Sequence, residues 1–397
     1  MNRRVAIVGT AAIPVGKYQT GDEEALQVLE HEILVRLVAE AVRDAGVDRK
    51  DIGSAIFTLP RPYTRQKYLH TFVISQLRLS CSGSVSEVMG NGMTAALAVD
   101  QACSEVLLGR ADVALALGIN MESAVSAAEH AMSSMRTTGD VDFQTSAGFT
   151  PISWYAMDAM RYMYEFGATR EQLATVAVKN RRHAALNPLA QYRKPITLEE
   201  VASQRPIVEP LGLYEVPPRG DGAACLVLAS EAVARSLGRP YVLFRGRGFH
   251  HDGAHQIDDR PRDMIAFGSA RAASADAYAQ AGIVALDLDL AEPYAPCTIV
   301  EVLVSEALGL VPRGAGAAAA AEGETALGGR IPISTSGGLT SRGHPSYVTS
   351  LYNFVELADQ LRGRCGDRQV QDARLAVSTG ELGNYNACLA HVLEGVR

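Results

Sequence analysis

Val85-Ser-Glu-Val-Met-Gly-Asn-Gly-Met-Thr-Ala-Ala-Leu-Ala-Val99 is the stretch on which the reading of this chain turns. From Gly90 to Leu108 almost every residue is small or apolar, the composition of a helix buried on every side. Gly90, Asn91 and Gly92 provide a tight turn at its head, and Met89 precedes that turn. A thioether carries no acidic proton, so Met89 cannot become a thiolate nucleophile. Its plain reading is a space-filling side chain in a pocket wall.

Working outward, Arg4 to Gly9, Asp51 to Phe57 and Asp112 to Gly118 read as buried strands. Between the first two, Glu24 to Ala45 forms an amphipathic helix with Leu26, Leu29, Ile33, Leu37 and Ala41 at helical spacing. The region from about Met121 to Pro218 differs in composition: it holds the only Trp, Trp154, and the polar run Arg181 to Pro188. It reads as an insertion covering a site. Gly220 to Ala229 returns to strand character.

A second half begins near Pro240 with Tyr241 to Arg245 as a strand and a helix around Ser269 to Ala281. Leu286 to Leu290 then reads as a strand, Ile299 to Leu308 as a helix, and Leu375 to Thr379 and Cys388 to Leu393 as closing strands. Strands alternating with helices predict α/β layers with largely parallel pairing, in two halves, 1–235 and 236–397. Arg313 to Gly329, rich in Ala and Gly, is expected as an exposed loop.

At 397 residues the chain is long enough for two core-forming halves. Hydrophobic residues at 47% and charged residues at 20% match a soluble enzyme, and a net charge of −7 argues against nucleic acid as a partner. The six Cys show neither CxxC nor Cys/His ligand spacing, which fits a reducing cytoplasm and no metal site. No apolar run approaches the roughly 20 residues of a membrane helix.

The order and spacing of several motifs resemble the thiolase superfamily along almost the whole chain. They are the Met89 segment, Leu108 to Gly118, His183 to Pro188 with Lys194 to Thr197, Gly220 to Ala224, and Gly337 to Pro345. The likeness is nearest to sterol-carrier-protein-x type thiolases and bacterial lipid-transfer thiolase-like proteins. It implies a five-layered αβαβα body of two pseudo-repeated halves, dimerisation, and CoA thioesters as substrates without a further cofactor. Met89 then stands where the family carries its reactive Cys, so ordinary acyl transfer to sulfur has no nucleophile there.

His344, in Gly343-His-Pro345, matches the family histidine that hydrogen-bonds the thioester carbonyl. Ser378 to Gly383 occupies the place of the second family Cys. Glu381 reads there either as a substitute base or as a solvated carboxylate, while Gly380 and Gly383 offer close backbone approach and N–H groups. In Tyr294-Ala-Pro-Cys-Thr298, Ala295 and Pro296 interrupt the expected oxyanion pattern, but Tyr294 survives. Some lipid-transfer members lack the nucleophile and act as retro-aldolases, with a tyrosine at that position implicated in proton transfer. They tend to place a second tyrosine where this chain has His344. Cys297 matches an apolar family position and reads as packing.

Arg181, Arg182, His183, Arg193, Lys194 and Arg219 concentrate cations suited to CoA phosphates, or else form a solvated face. His250, His251 and His255 read as a polar loop and not as a metal site. The resemblance implies a C–C lyase on a β-hydroxyacyl-CoA, possibly one with a steroid side chain. The alternatives are an acyltransferase with a substituted mechanism and a non-catalytic acyl-CoA-binding subunit. It also implies a small companion protein with an OB fold and a zinc ribbon.

Overall fold

The apolar runs become strands buried along nearly their whole length, as the continuous hydrophobic stretches require. A computed structural model describes residues 3–18, 29–60, 64, 66–137, 139–253 and 263–397. Its strands are β1 (Val5–Ala12), β2 (Ile52–Thr58), β3 (Val85–Glu87), β4 (Val113–Asn120), β5 (Pro206–Val208), β6 (Leu211–Gly212), β7 (Gly222–Ser230), β8 (Tyr241–His251), β9 (Leu290–Glu292), β10 (Leu375–Leu382) and β11 (Ala387–Val396). The helices of the first half are α1 (Glu30–Ala45), α2 (Leu69–Gln76), α3 (Thr94–Leu107), α4 (Ala127–Met135), α5 (Pro151–Phe166), α6 (Arg170–Ala185), α7 (Leu198–Ala202) and α8 (Glu231–Ser236). Those of the second are α9 (Gly268–Ala281), α10 (Thr298–Ala307), α11 (Gly316–Ala321) and α12 (Thr349–Leu361).

Nine strands run in the order β3-β2-β4-β7-β1-β8-β11-β10-β9. Their seam is narrow: β1 meets β8 only through Ala6↔Leu243 and Ile7↔Val242. On either side of it the plan repeats. β2–β4 and β9–β10 are parallel, whereas β4–β7 and β10–β11 are antiparallel, as are β7–β1 and β11–β8. Helices α1 and α9 follow the first strand of each half, and α3 and α12 precede the equivalent strands β4 and β10. The halves are therefore structural duplicates.

Strand alternation sorts side chains into three cores. Ala6 and Val8 face α1 with Leu34 and Leu37, while Val5 and Ile7 face α3 and α12 with Val99 and Phe354. Val377 and Ala390 face α9 and α10 with Ala277 and Leu303. The result is the expected αβαβα layering, with α3 and α12 between the two halves of the nine-stranded sheet.

Three expectations need correction. Pairing is mixed and mostly antiparallel, because the turn between Leu382 and Ala387 is too short for a parallel crossover. Arg313 to Gly329 is not an exposed loop: α11 forms there and buries Ala317, Ala319 and Ala320, whose small side chains let it pack closely on α6 and α10. Leu286 sits in a 3-10 turn, Ala285–Asp287, and the strand begins only at Leu290. The proposed helix start at Glu24 lies outside the described residues, and α1 is seen from Glu30.

The insertion is helical. Ser126, Thr150, Thr169 and Thr197 each accept the amide of the third residue of α4, α5, α6 and α7, which starts those helices cleanly. Among the described residues no helix is long and apolar enough to cross a membrane.

Candidate active site

A cavity of about 210 Å³ opens where the insertion meets the second half. Glu122, His130, Tyr155 and Arg219 line it from one side, and Tyr294, His344 and Glu381 from the other.

Tyr294 follows β9 and is held at its backbone. Its N–H donates to Thr379 Oγ1 at 3.1 Å, and its carbonyl accepts from the Tyr385 hydroxyl at 2.6 Å. Its ring lies on Gly92: a Cβ there would come within 2.7 Å of Tyr294 Cζ, so no larger residue fits. The Gly-Asn-Gly turn read from the sequence thus makes room for a tyrosine. His344 follows a π-helical turn over Gly338–Arg342, a form often found at functional sites. Gly343 precedes it at φ 109, and Arg342 is anchored in the core on Asn353 Oδ1 at 2.7 Å.

These two segments bring the Tyr294 hydroxyl to 2.6 Å from His344 Nε2, with the rings edge-on. Burial lowers the imidazole pKa, and Arg342 and His130 add to this against the pull of Glu122, leaving His344 at about 4. Burial raises Tyr294 well above the ordinary phenol value, with the Glu381 and Glu122 charges in support. At neutral pH the phenol is protonated and the imidazole is neutral, so Tyr294 donates and Nε2 accepts.

Glu122 is buried just beyond the end of β4. Its carboxylate accepts from Asn120 Nδ2 at 3.0 Å and Ser346 Oγ at 2.7 Å, and pairs with His130 Nε2 at 3.1 Å. Burial alone would raise its pKa, but His130, His344 and Ser346 outweigh that, and the group lies below the usual range. Arg219 fixes its guanidinium on the carbonyls of Glu122 and, at 3.0 Å, of Val125.

Glu381 behaves oppositely. Burial pushes its carboxyl up to about 7, despite bonds from Tyr385 N at 3.0 Å and the Tyr155 hydroxyl at 3.3 Å. Beyond it Asp158, bonded by Asn384 Nδ2 at 3.2 Å, is raised by burial to about 8.

Other residues singled out in the sequence lie elsewhere. Met89 is 54% exposed and is not among the cavity-lining residues, so it does not fill this pocket wall. Cys297 is fully buried as the residue preceding α10, and burial raises its thiol well above the ordinary value. Among the described cavity-lining residues there is no Cys. Gly380 does not line the cavity either. It stands opposite Leu389 in the β10–β11 ladder, where a Cβ would meet Ala96 at 2.6 Å, so it lets β10 close on α3. Gly383, at φ 54, forms the turn into β11. Ser378 donates to the Glu292 carbonyl at 3.1 Å, inside the core.

The expected cation cluster disperses. Arg181 is buried and stacks on Tyr192 at 4.7 Å. Arg182 is exposed on α6. His183 is structural: Leu327 N donates to its Nε2 at 3.0 Å, so Nδ1 carries the proton and donates to the Ser334 carbonyl at 2.9 Å. Burial next to Lys179 lowers it to about 3. The helical period carries successive residues of α6 to different faces, which a count along the sequence ignores. Arg193 and Lys194 are exposed. Only Arg219 of the six reaches the cavity. His250 pairs with Asp252 at 2.8 Å and His251 Nδ1 accepts from Gly253 N, whereas His255 lies outside the described residues.

Sequence reading missed Glu122, His130, Tyr155 and Asp158. Of these only Glu122 carried a local signal, an acidic residue just past a buried strand.

The comparisons agree with this architecture. The family described as "Thiolase, N-terminal domain" matches residues 5–232, and "Thiolase C-terminal domain-like" matches residues 251–395. An acetyl-CoA acetyltransferase of Methanothermobacter thermautotrophicus is 30% identical, covering 98% of this chain and 99% of that protein. The benzoylsuccinyl-CoA thiolase subunit BbsB of Thauera aromatica is 29% identical over 94% of this chain and 92% of that one. A solved structure described as an Ltp2-ChsH2(DUF35) aldolase superposes with a TM-score of 0.83 at 28% identity, covering 99% of this chain and 98% of the other. The chain belongs to the thiolase superfamily and is a thiolase-like enzyme acting on CoA thioesters.

Proposed function

We propose that the protein is a C–C lyase that cleaves a β-hydroxyacyl-CoA by a retro-aldol reaction. One observation carries this reading: the Tyr294 hydroxyl lies 2.6 Å from His344 Nε2 on the cavity wall, where no cysteine is present among the described lining residues. The β-hydroxyl proton passes to the Tyr294 oxygen as the Tyr294 proton passes to His344 Nε2. The Cα–Cβ bond breaks, Cβ becomes a ketone or aldehyde carbon, and the electron pair moves onto the thioester as an enolate. Arg219, a fixed cation on the cavity wall, stabilises the developing charge. Glu381, with a pKa of about 7, protonates Cα, and the proton held by His344 returns to it through solvent. No acyl-enzyme forms and the reaction is proton-neutral overall.

A homodimer and a small OB-fold/zinc-ribbon companion belong to this reading. The second is supported by the partner named in the description of the aldolase structure. The cytoplasm is the proposed location. The acetyltransferase and thiolase relatives favour a second reading, acyl transfer without Cys at position 89. Mass spectrometry decides between them. Cleavage predicts a carbonyl product and a shortened acyl-CoA from a β-hydroxyacyl-CoA, with no protein adduct. An acyl-enzyme formed at the turnover rate would overturn it, and binding without turnover would indicate a non-catalytic subunit.

A further inference from the structure

Glu122 is a buried carboxylate that the proposed chemistry does not use, yet it lines the cavity and bonds to two other lining residues, His130 and Ser346. It reaches the His344 loop through Ser346, from whose N–H it accepts at 3.3 Å and from whose hydroxyl at 2.7 Å. Arg219 clamps the same region from behind, since its side chain holds the Glu122 carbonyl while its backbone bridges to His344. Among the described residues the carboxylate has His130 as its ion-pair partner and no Lys or Arg. Its charge is thus not cancelled by a permanent cation. Burying such a charge is costly unless the site uses it.

We infer that Glu122 is the counter-charge of the Tyr294–His344 pair, a positioning residue that fixes the His344 loop and keeps a negative charge beside the imidazole as it takes up a proton. His344 is faced by Tyr294 in hydrogen-bond contact, by Arg342 on its own loop, by Glu122, and by His130 across the cavity. Tyr347, Arg219 and Glu381 complete the polar surroundings. Glu122 alone among these presents a fully ionised carboxylate, and His130 competes with His344 for it. This inference rests on the lyase reading only for its kinetic arm.

The test compares wild type, Glu122→Gln, Glu122→Asp and His130→Asn. In ¹⁵N-histidine-labelled protein without substrate, the His344 imidazole is titrated by NMR from about pH 3 to 8. Removing a nearby opposite charge lowers a histidine pKa, by about one unit or more for a close pair, so E122Q moves the His344 titration downward. H130N removes a group that holds the His344 pKa down and shifts the titration upward. With a β-hydroxyacyl-CoA, E122Q lowers kcat about tenfold or more at little-changed KM, and E122D restores much of the loss. Opposite shifts in E122Q and H130N cannot come from a merely loosened fold. An unchanged titration in E122Q, or the same sign in both variants, overturns the inference. Should E122Q fail to fold, Glu122→Ala takes its place, with the same downward shift expected and an unchanged titration overturning the inference. If the shifts appear but wild type cleaves no β-hydroxyacyl-CoA, the lyase reading fails and the counter-charge stands.

Discussion

Tyr294→Phe is the substitution on which the proposed chemistry is most exposed. It deletes one oxygen, the atom 2.6 Å from His344 Nε2, while the phenyl ring keeps its packing over Gly92. Positioned acid–base groups contribute about 10² to 10⁴ in rate, so kcat should fall by that factor, about 3 to 5 kcal/mol of transition-state stabilisation. KM should change little, because the ring still fills its site. Folding stability should drop by about 1 to 3 kcal/mol, the cost of leaving a buried acceptor without its donor. The decisive assay is a double-mutant cycle with His344→Asn, following loss of the β-hydroxyacyl-CoA by chromatography. Groups that act as one relay are non-additive, so the double variant should be no slower than the worse single one. Rate losses that simply multiply, or a Y294F enzyme within tenfold of wild type, would refute a Tyr294–His344 relay.

The remaining expectations concern the buried acids and the head of α3. Glu381 donates a proton in its neutral form, so kcat should decline as pH rises through about 7, and Glu381→Gln should abolish that limb of the pH profile. Asp158 has a folded-state pKa of about 8 against 3.8 in the open chain. The stability tied to its neutral form is therefore complete below the lower value and is lost as pH rises toward the higher one. About 4 kcal/mol should disappear by pH 7, and urea unfolding of Asp158→Asn should lack that slope. Met89→Cys should yield a thiol that iodoacetamide alkylates but that gains no acyl group from acyl-CoA, because position 89 is exposed and outside the cavity lining. A competent S-acyl adduct in that variant would contradict the placement.

The layers were legible because burial writes itself into local pattern. Runs such as Val113 to Gly118 are apolar on both faces, as strands between two helical layers must be. Strand direction was not legible, since it depends on the route between strands: the tight Leu382–Ala387 turn and the long helical insertion set it, and neither changes the composition of a strand. His344 and Tyr294 could be picked out by motif, but their contact spans fifty positions and exists only after the second half has closed. The cation cluster failed for the same reason in reverse. Neighbours in sequence on α6 diverge in space, leaving Arg181 on aromatic rings and His183 in the core. Glu122 was invisible as a site residue because its meaning comes from Ser346, in the other half of the chain.

Duplication explains why the site forms where it does. The loops leading into α3 and α12 occupy equivalent places in the two halves, and the repeat sets both against the same central layer. One loop supplies Gly92 and the other supplies His344, with the Tyr294 ring lodged between them. In the first half the loop is a backbone cradle that leaves space for the Tyr294 ring. In the second it carries His344, whose Nε2 meets the Tyr294 hydroxyl. A nucleophile on the first loop and a tyrosine filling the volume above Gly92 would compete for the approach to the thioester. Met89 is exposed and Tyr294 is buried against Gly92, so the proposed lyase reading places the reacting groups on the Tyr294 side of the turn. Placing a thiol at position 89 while Tyr294 stays in place therefore supplies a residue type without giving it access to the cavity.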